Sequence, residues 1–259
     1  MNQLLPLLLI TPVMLLLAMG IVLFMLRYQK RLYQVQEVKQ RQLLEAVIEA
    51  QEAERRRVAR DLHDEVGAML ALVKLNVGQV SQQPGVPPET KAMVQNAKTM
   101  LDDVMHHVRR ISHNLMPVVL EKMGLPLALE AMRRSVSASS RLAVELECND
   151  KSRRFDPKHE LLLYRMVQEL FSNSMKHAAA TLIRVQLLFK EQEIVLTYTD
   201  NGNGFDFKAW QQHEQRPVSL GLVNLQSRVS LMHGKLDYYS APDAGTKATI
   251  IIPYNVKSI

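Results

Sequence analysis

Cysteine is nearly absent: the chain of 259 residues holds one, Cys148. A lone cysteine forms no intrachain disulfide and gives no thiolate cluster for zinc. Aromatic residues are also scarce, at 5%, with a single tryptophan. That leaves no stacking platform for bases and disfavours a β-sandwich core. No internal repeat or low-complexity tract is visible. From Tyr28 to Gln82 there is no proline at all.

What is present points to helices. Methionine occurs 14 times and 47% of residues are hydrophobic, enough for a sizeable aliphatic core. The net charge is +6, which brings nucleic acid and anionic lipid into view as partners. The basic residues gather behind an apolar N-terminal run, so direct nucleic-acid binding is not expected. That run, Leu4 to Leu26, carries no charge. As a helix it is about 34 Å long, enough to cross a hydrocarbon core of about 30 Å. It is longer than a signal-peptide core and lacks both a basic leader and a small-x-small cleavage site. A retained anchor is therefore expected over 1–27, bent but not broken by Pro6 and Pro12. Arg27, Lys30 and Arg31 follow at once, which places the remainder on the cytoplasmic side and against lipid headgroups. Three residues precede the apolar run, so no external ligand-binding domain is expected.

Behind the anchor, Leu32, Val35, Leu43, Val47, Val58, Leu62, Val66, Met69, Val73 and Val77 recur mostly at steps of three and four. A helix this long needs a partner for its stripe, and a dimer supplies one. "QQPGVPPE" (82–89) breaks it. A second helical run to Leu115 carries Met93, Ala97, Met100, Leu101, Val104, Val108 and Ile111. Two such hairpins make a four-helix bundle. After Pro117 the texture changes. Residues 142–148, 181–189, 193–199, 235–240 and 247–253 read as strands, and 124–138, 157–178 and 220–233 as helices. This is a sheet with helices on one face. The expected partition is an anchor (1–27), a coiled-coil linker (28–55), an all-α dimerisation hairpin (56–120) and an α/β domain (121–259).

Several motifs carry chemistry. "DNGNGF" (200–205) follows a strand; taken alone it is an ordinary turn. "SLGLVNLQSRV" (219–229) opens a helix, and a glycine there leaves backbone N–H groups for phosphate. "DAGTKATI" (243–250) sets Gly245 and Thr246 before the last strand. "YRMVQELFSNSMKHA" (164–178) places Glu169, Asn173, Lys176 and His177 at three- and four-residue spacing, mostly on one helix face. Such a face is either solvated or functional. Asn is a poor helix former and stands mid-helix here. Its carbonyl oxygen beside a carboxylate suits Mg²⁺, while Lys and His suit phosphate.

In this order the motifs resemble the ATP-binding domain of sensor histidine kinases, the Bergerat α/β-sandwich fold shared with gyrase and Hsp90-type ATPases. The 164–178 stretch is similar to the N-box, 200–206 to the first glycine box and 220–229 to the second. The resemblance implies that Asp200 reads the adenine amino group and that Asn173 holds Mg²⁺ on the phosphates of ATP, with Glu169 assisting. It implies that Lys176 and His177 lie near phosphate or ribose. Gly202, Gly204, Gly221, Leu222 and Thr246 would border the nucleotide, and 206–218 would form a lid.

His63 stands in "RDLHDEVGA" (60–68). With Leu62 at 0° and 100° per residue, positions 58, 62, 66, 69, 73 and 77 fall within about 60°. His63 lies roughly 90° from the stripe centre, so it is not a core residue. No histidine follows at i+4, against a metal pair. The helix alone leaves a plain surface histidine open. "ERRRVARDLHDEVGAML" (54–70) resembles the phosphoacceptor block of the His-Asp-x-x-x-Gln (HisKA_3) subfamily, relatives of nitrate and membrane-fluidity sensors. That implies autophosphorylation of His63 by ATP, with Asp64 taking or orienting the other ring proton. It also implies transfer to an Asp of a response regulator with a helix-turn-helix output domain. Two positions depart from the pattern. Ala68 replaces the Gln that positions water for dephosphorylating the partner, and Ser219 replaces the first Gly of the second box. Two rivals share the ATP fold: a membrane-tethered scaffold without catalysis, and a serine kinase of the anti-sigma-factor type. The His-Asp pair on a dimerising helix argues against both.

Overall fold

The computed structural model describes residues 4–139, 142–207, 209 and 220–253. The chain forms two compact units, 1–52 and 53–259. Helix α1 (Leu4–Asp61) supplies the whole of the first. Its side chains Ile21 to Leu26 are exposed, as are Leu32, Val35, Leu43 and Val47 further along. Among the described residues no helix is long and apolar enough to cross a membrane. The side chains of residues 1–16, most of the expected span, lie outside the described set.

In the second unit the end of α1 continues through a π-helical turn, Leu62–Val66, into α2 (Gly67–Val80). The chain then reverses into α3 (Pro88–Leu115), entered with Pro at its first turn, where a missing N–H costs nothing. The two arms pack closely: the methylene stem of Lys98 lies against Gly78, and Lys74 pairs with Asp102. The buried Ser112 hydroxyl donates to the carbonyl of Ala59 at 2.9 Å, which fixes the register one turn before His63. Of the apolar stripe expected on this helix, Val58, Leu62, Val66 and Val77 are half-buried and Met69 and Val73 are exposed, as are Met93, Met100, Val104 and Ile111 of the stripe on α3; the positions buried within the hairpin include Ala59, Gly78 and Val94, which lie outside both stripes.

A short helix missed by the sequence reading, α4 (Val118–Met123), follows Pro117. Gly124 ends it at φ +83, in the left-handed region where a side chain is strained. Then come α5 (Leu125–Ser139), β1 (Ala143–Cys148) and α6 (Pro157–Asn173). A second π turn, Ser174–Ala178, leads to β2 (Leu182–Phe189) and β3 (Glu193–Asp200). Helix α7 (Leu220–Leu231), β4 (Lys235–Ser240) and β5 (Thr246–Pro253) complete the chain.

The sheet order is β1-β2-β3-β5-β4, with β1 parallel to β2 and all other pairs antiparallel. Alternation places Ile183, Val185, Leu187, Ile194, Leu196, Tyr198, Ala248, Ile250 and Ile252 on one face, all buried. Helices α5 and α7 pack on β1 and β4, and α6 lies between them. Leu162, Leu163, Met166, Val167, Leu170 and Phe171 of α6 fill the core, each worth about 1.5–3 kcal/mol relative to exposure. The start of α6 is set by Asp156, whose side chain accepts from the His159 amide, and by Pro157. Buried Glu160 holds the preceding loop by accepting from Arg154 Nε and the Phe155 amide.

Candidate active site

The first half of the site is the π turn at His63. Its backbone closes with the Gly67 amide donating to the Leu62 carbonyl, one residue wider than an α-turn. Such insertions bulge the helix and recur at functional positions. His63, Asp64 and Glu65 are all exposed, while Ala59 one turn earlier is 1% exposed. Neither the imidazole nor the Asp64 carboxylate has a hydrogen-bond partner among the described residues. Ser112 stands opposite Ala59 and Asp102 opposite Lys74, so His63 lies level with about residues 108–113 of α3.

The second half gathers where α6 ends. Asp200, 9% exposed at the end of β3, accepts the Gly202 amide on Oδ1 at 2.9 Å and the Ser174 hydroxyl on Oδ2 at 2.6 Å. Ser174 also lies 2.6 Å from Tyr198 Oη, which in turn donates to the Leu170 carbonyl at 3.2 Å. Burial pushes the Tyr198 phenol well above its ordinary range, so it stays protonated. Tyr238, on β4, is pushed up to about 12 by burial, opposed by its hydrogen bond with Thr246. A carboxylate has about four acceptor sites, so Asp200 keeps capacity for a further donor.

Gly221, at the start of α7, is where the second glycine block meets α6. A Cβ there would stand 2.5 Å from Glu169 Oε1 and 3.3 Å from Asn173 Nδ2. Glu169 and Asn173 thus sit together, half-exposed, under the end of α7. Helix α6 stays α-helical only to Asn173; Lys176 and His177 are exposed on the π turn and are not in α-register with Glu169. Gly202 lies against Ala178, where a Cβ would come 2.5 Å from the carbonyl oxygen. Gly204 has φ +57 and abuts the carbonyls of Ala241 and Gly245. These two glycines therefore answer to the protein's own backbone in the first place. Leu222 is a core side chain, 4% exposed, and offers a nucleotide only its backbone. Thr246 is half-buried, its hydroxyl 3.2 Å from that of Ser240. Residues 208, 210–218 of the expected lid, and Ser219, lie outside the described residues.

Sequence reasoning missed Ser174, Tyr198 and Ser240. Ser174 lies inside the N-box stretch, and Tyr198 is two residues before Asp200 on the same strand face; that spacing was the available signal. Among the described residues no three His, Cys, Asp or Glu side chains cluster to hold a metal. Mg²⁺ needs only one or two protein oxygens, the rest coming from water and phosphate. Asn173 and Glu169 fit that requirement.

The structure thus places an exposed imidazole on a helical hairpin, joined to a sheet-and-helix domain with a buried, hydrogen-bonded Asp and a Glu–Asn pair at one helix end. The profile of the family described as histidine kinase matches residues 54–120. That of histidine kinase-, DNA gyrase B-, and HSP90-like ATPases matches residues 158–256. The chain thus carries a histidine-kinase (HisKA_3) segment followed by a segment of the histidine-kinase-type ATPase family. It is 31% identical over 210 residues to the signal transduction histidine-protein kinase/phosphatase DegS of Brevibacillus brevis, covering 80% of this chain and 53% of that protein. It is 28% identical over 228 residues to the oxygen sensor histidine kinase NreB of Staphylococcus carnosus, covering 87% and 62%. With the sensor histidine kinase MctS of Rhizobium johnstonii the identity is 30% over 212 residues, covering 82% and 45%. The chain thus spans between two-fifths and two-thirds of the length of these relatives.

Proposed function

We propose that this chain is a membrane-anchored, homodimeric sensor histidine kinase that phosphorylates itself on His63 and passes the phosphoryl group to a response regulator. The observation that carries the reading is the pairing of an exposed His63 turn with a domain whose Asp200, Asn173 and Glu169 converge at the end of α6. In the reaction one imidazole nitrogen attacks the γ-phosphorus of ATP. An N–P bond forms, the bond to the β,γ-bridging oxygen breaks, and ADP leaves with the electron pair. The proton on the other ring nitrogen passes to Asp64. At neutral pH an ordinary imidazole is largely unprotonated and nucleophilic. Asp200 receives the adenine amino group, fixed for that task by Ser174 and the Gly202 amide. Asn173 and Glu169 offer oxygens to Mg²⁺, which neutralises phosphate charge when bound. Lys176 and His177 add positive charge from the π turn.

The exposed apolar faces of α2 and α3 support a second copy closing a four-helix bundle. The uncharged run at Leu4–Leu26 and the basic residues behind it support an inner-membrane anchor with the kinase portion cytoplasmic and in contact with lipid. The recipient is an Asp of a regulator with a helix-turn-helix output domain; the kinase itself does not bind DNA. Ala68 in place of Gln argues against dephosphorylation of that regulator by the usual water-positioning route. Radiolabelled ATP tests the reading. The wild type should acquire an acid-labile, base-stable phosphate and His63→Gln should acquire none. A base-labile label, or an undiminished label on the variant, would assign the acceptor elsewhere.

A further inference from the structure

We propose that Arg165 is a positioning residue for the His63 reaction, clamping the helix that carries Glu169 and Asn173 onto the C-terminal end of the phosphoacceptor hairpin; the inference rests on the autophosphorylation reading. Arg165 is 3% exposed, unusual for a guanidinium. Its Nη1 donates to the Asn114 carbonyl at 2.9 Å and Nη2 to the Leu115 carbonyl at 2.6 Å. Nη1 also donates to Gln168 Oε1 at 2.9 Å, and Gln168 Nε2 donates to Asn114 O at 3.1 Å. Asn114 and Leu115 close α3, where carbonyls lack partners within the helix and the helix dipole is negative. A guanidinium fits that end in both charge and geometry.

The contacts form a continuous path. The carbonyl of Ala59, one turn before His63, takes the Ser112 hydroxyl; two residues on, α3 ends in Arg165; from Arg165, Glu169 lies one turn and Asn173 two turns along α6. Arg165, Gln168 and Asn114 line a cleft of about 860 Å³ between α3 and the sheet domain, and Arg110 and His107 of α3 and Glu169 of α6 line it as well. Without the clamp that cleft can widen or tilt. Eight residues of α6 make a lever of about 12 Å, so turning the sheet domain as a body by roughly 10° about Arg165 moves Asn173 by about 2 Å relative to His63. Displacements near 1 Å cost an in-line transfer up to about 100-fold. Nucleotide binding, built within the sheet domain alone, does not feel the tilt.

Full-length Arg165→Gln and Arg165→Lys variants separate these effects. Expected for Arg165→Gln is a 10- to 100-fold lower autophosphorylation rate at saturating ATP with ADP affinity within twofold of wild type; Arg165→Lys should lie between. An unchanged rate in Arg165→Gln, or an ADP affinity that falls by the same factor as the rate, overturns the proposal. If Arg165→Gln does not fold, the same two measurements on Arg165→Lys decide it. Amide hydrogen exchange over residues 112–124 should rise in the variant; unchanged exchange also refutes the clamp. This last readout stands even if the wild type proves not to label, which would sink the kinase reading instead.

Discussion

Ser174→Ala probes the least visible part of the site. The Ser174 hydroxyl lies 2.6 Å from both Asp200 Oδ2 and Tyr198 Oη, and the residue is 4% exposed. Its single hydrogen goes to Asp200 Oδ2. Alanine removes that bond and leaves a small void. Tyr198 is not orphaned, because the Leu170 carbonyl remains 3.2 Å away. Asp200 keeps the Gly202 amide but loses one of two fixed donors. A hydrogen bond to a charged group contributes about 1.5–3 kcal/mol, so the unfolding free energy should fall by about 2 kcal/mol. A carboxylate free to rotate would also lose the aim proposed for it at the adenine amino group. About 1.4 kcal/mol of lost positioning is a tenfold weaker nucleotide affinity. Urea unfolding followed by circular dichroism and titration with a fluorescent ADP analogue measure the two effects. A variant with wild-type midpoint and wild-type affinity would refute the argument that Ser174 orients Asp200.

Gly221→Ala should separate stability from chemistry. The new methyl meets the ends of two half-exposed side chains, Glu169 and less closely Asn173, and no backbone, so stability stays within about 1 kcal/mol of wild type. Autophosphorylation should fall by about tenfold as Glu169 and Asn173 part; equal activity in an otherwise stable variant would remove Glu169 from the site. His159 gives a pH dependence. Burial lowers its pKa, against a smaller opposing effect of Asp156. The unfolded imidazole takes its proton near pH 6.5, before the folded one does. The unfolded state therefore binds more protons as pH falls, so this contribution to stability is present above about pH 6.5 and is lost below it. Urea midpoints at pH 7.5 and 5.5 should differ less in His159→Gln than in the wild type.

Periodicity made the architecture legible. The three-and-four spacing from Val58 to Val77 and from Met93 to Ile111 marks the two helical arms, although within one chain these stripes are only half-buried or exposed. Short runs alternating apolar or aromatic with polar residues mark all five strands, because one sheet face is covered and alternation follows. The π turns at Leu62–Val66 and Ser174–Ala178 were not legible: an extra residue per turn leaves no trace in composition, only in hydrogen bonding. For that reason Lys176 and His177 fall out of the face that α-spacing assigned them. Asp200, Asn173 and Glu169 were recognisable by motif. Ser174, Tyr198 and Arg165 were not, because each acts on a residue far away in sequence, and a polar side chain inside an apolar helix reads as noise until its partner is placed. Leu222 is a motif position whose side chain belongs to the core, leaving only its backbone for a nucleotide. The parallel pairing of β1 with β2 follows from α6 crossing between them.

The five residues around His63 hold one amino acid more than α-helical winding would need to close the same turn. Rewinding them as α-helix would swing α2 by about 100° against the helix before it while changing the rise by only about 1.5 Å. Axial twist and the heading of the imidazole are thus two expressions of a single coordinate, and turning α2 about its axis re-aims His63 far more than sliding it would.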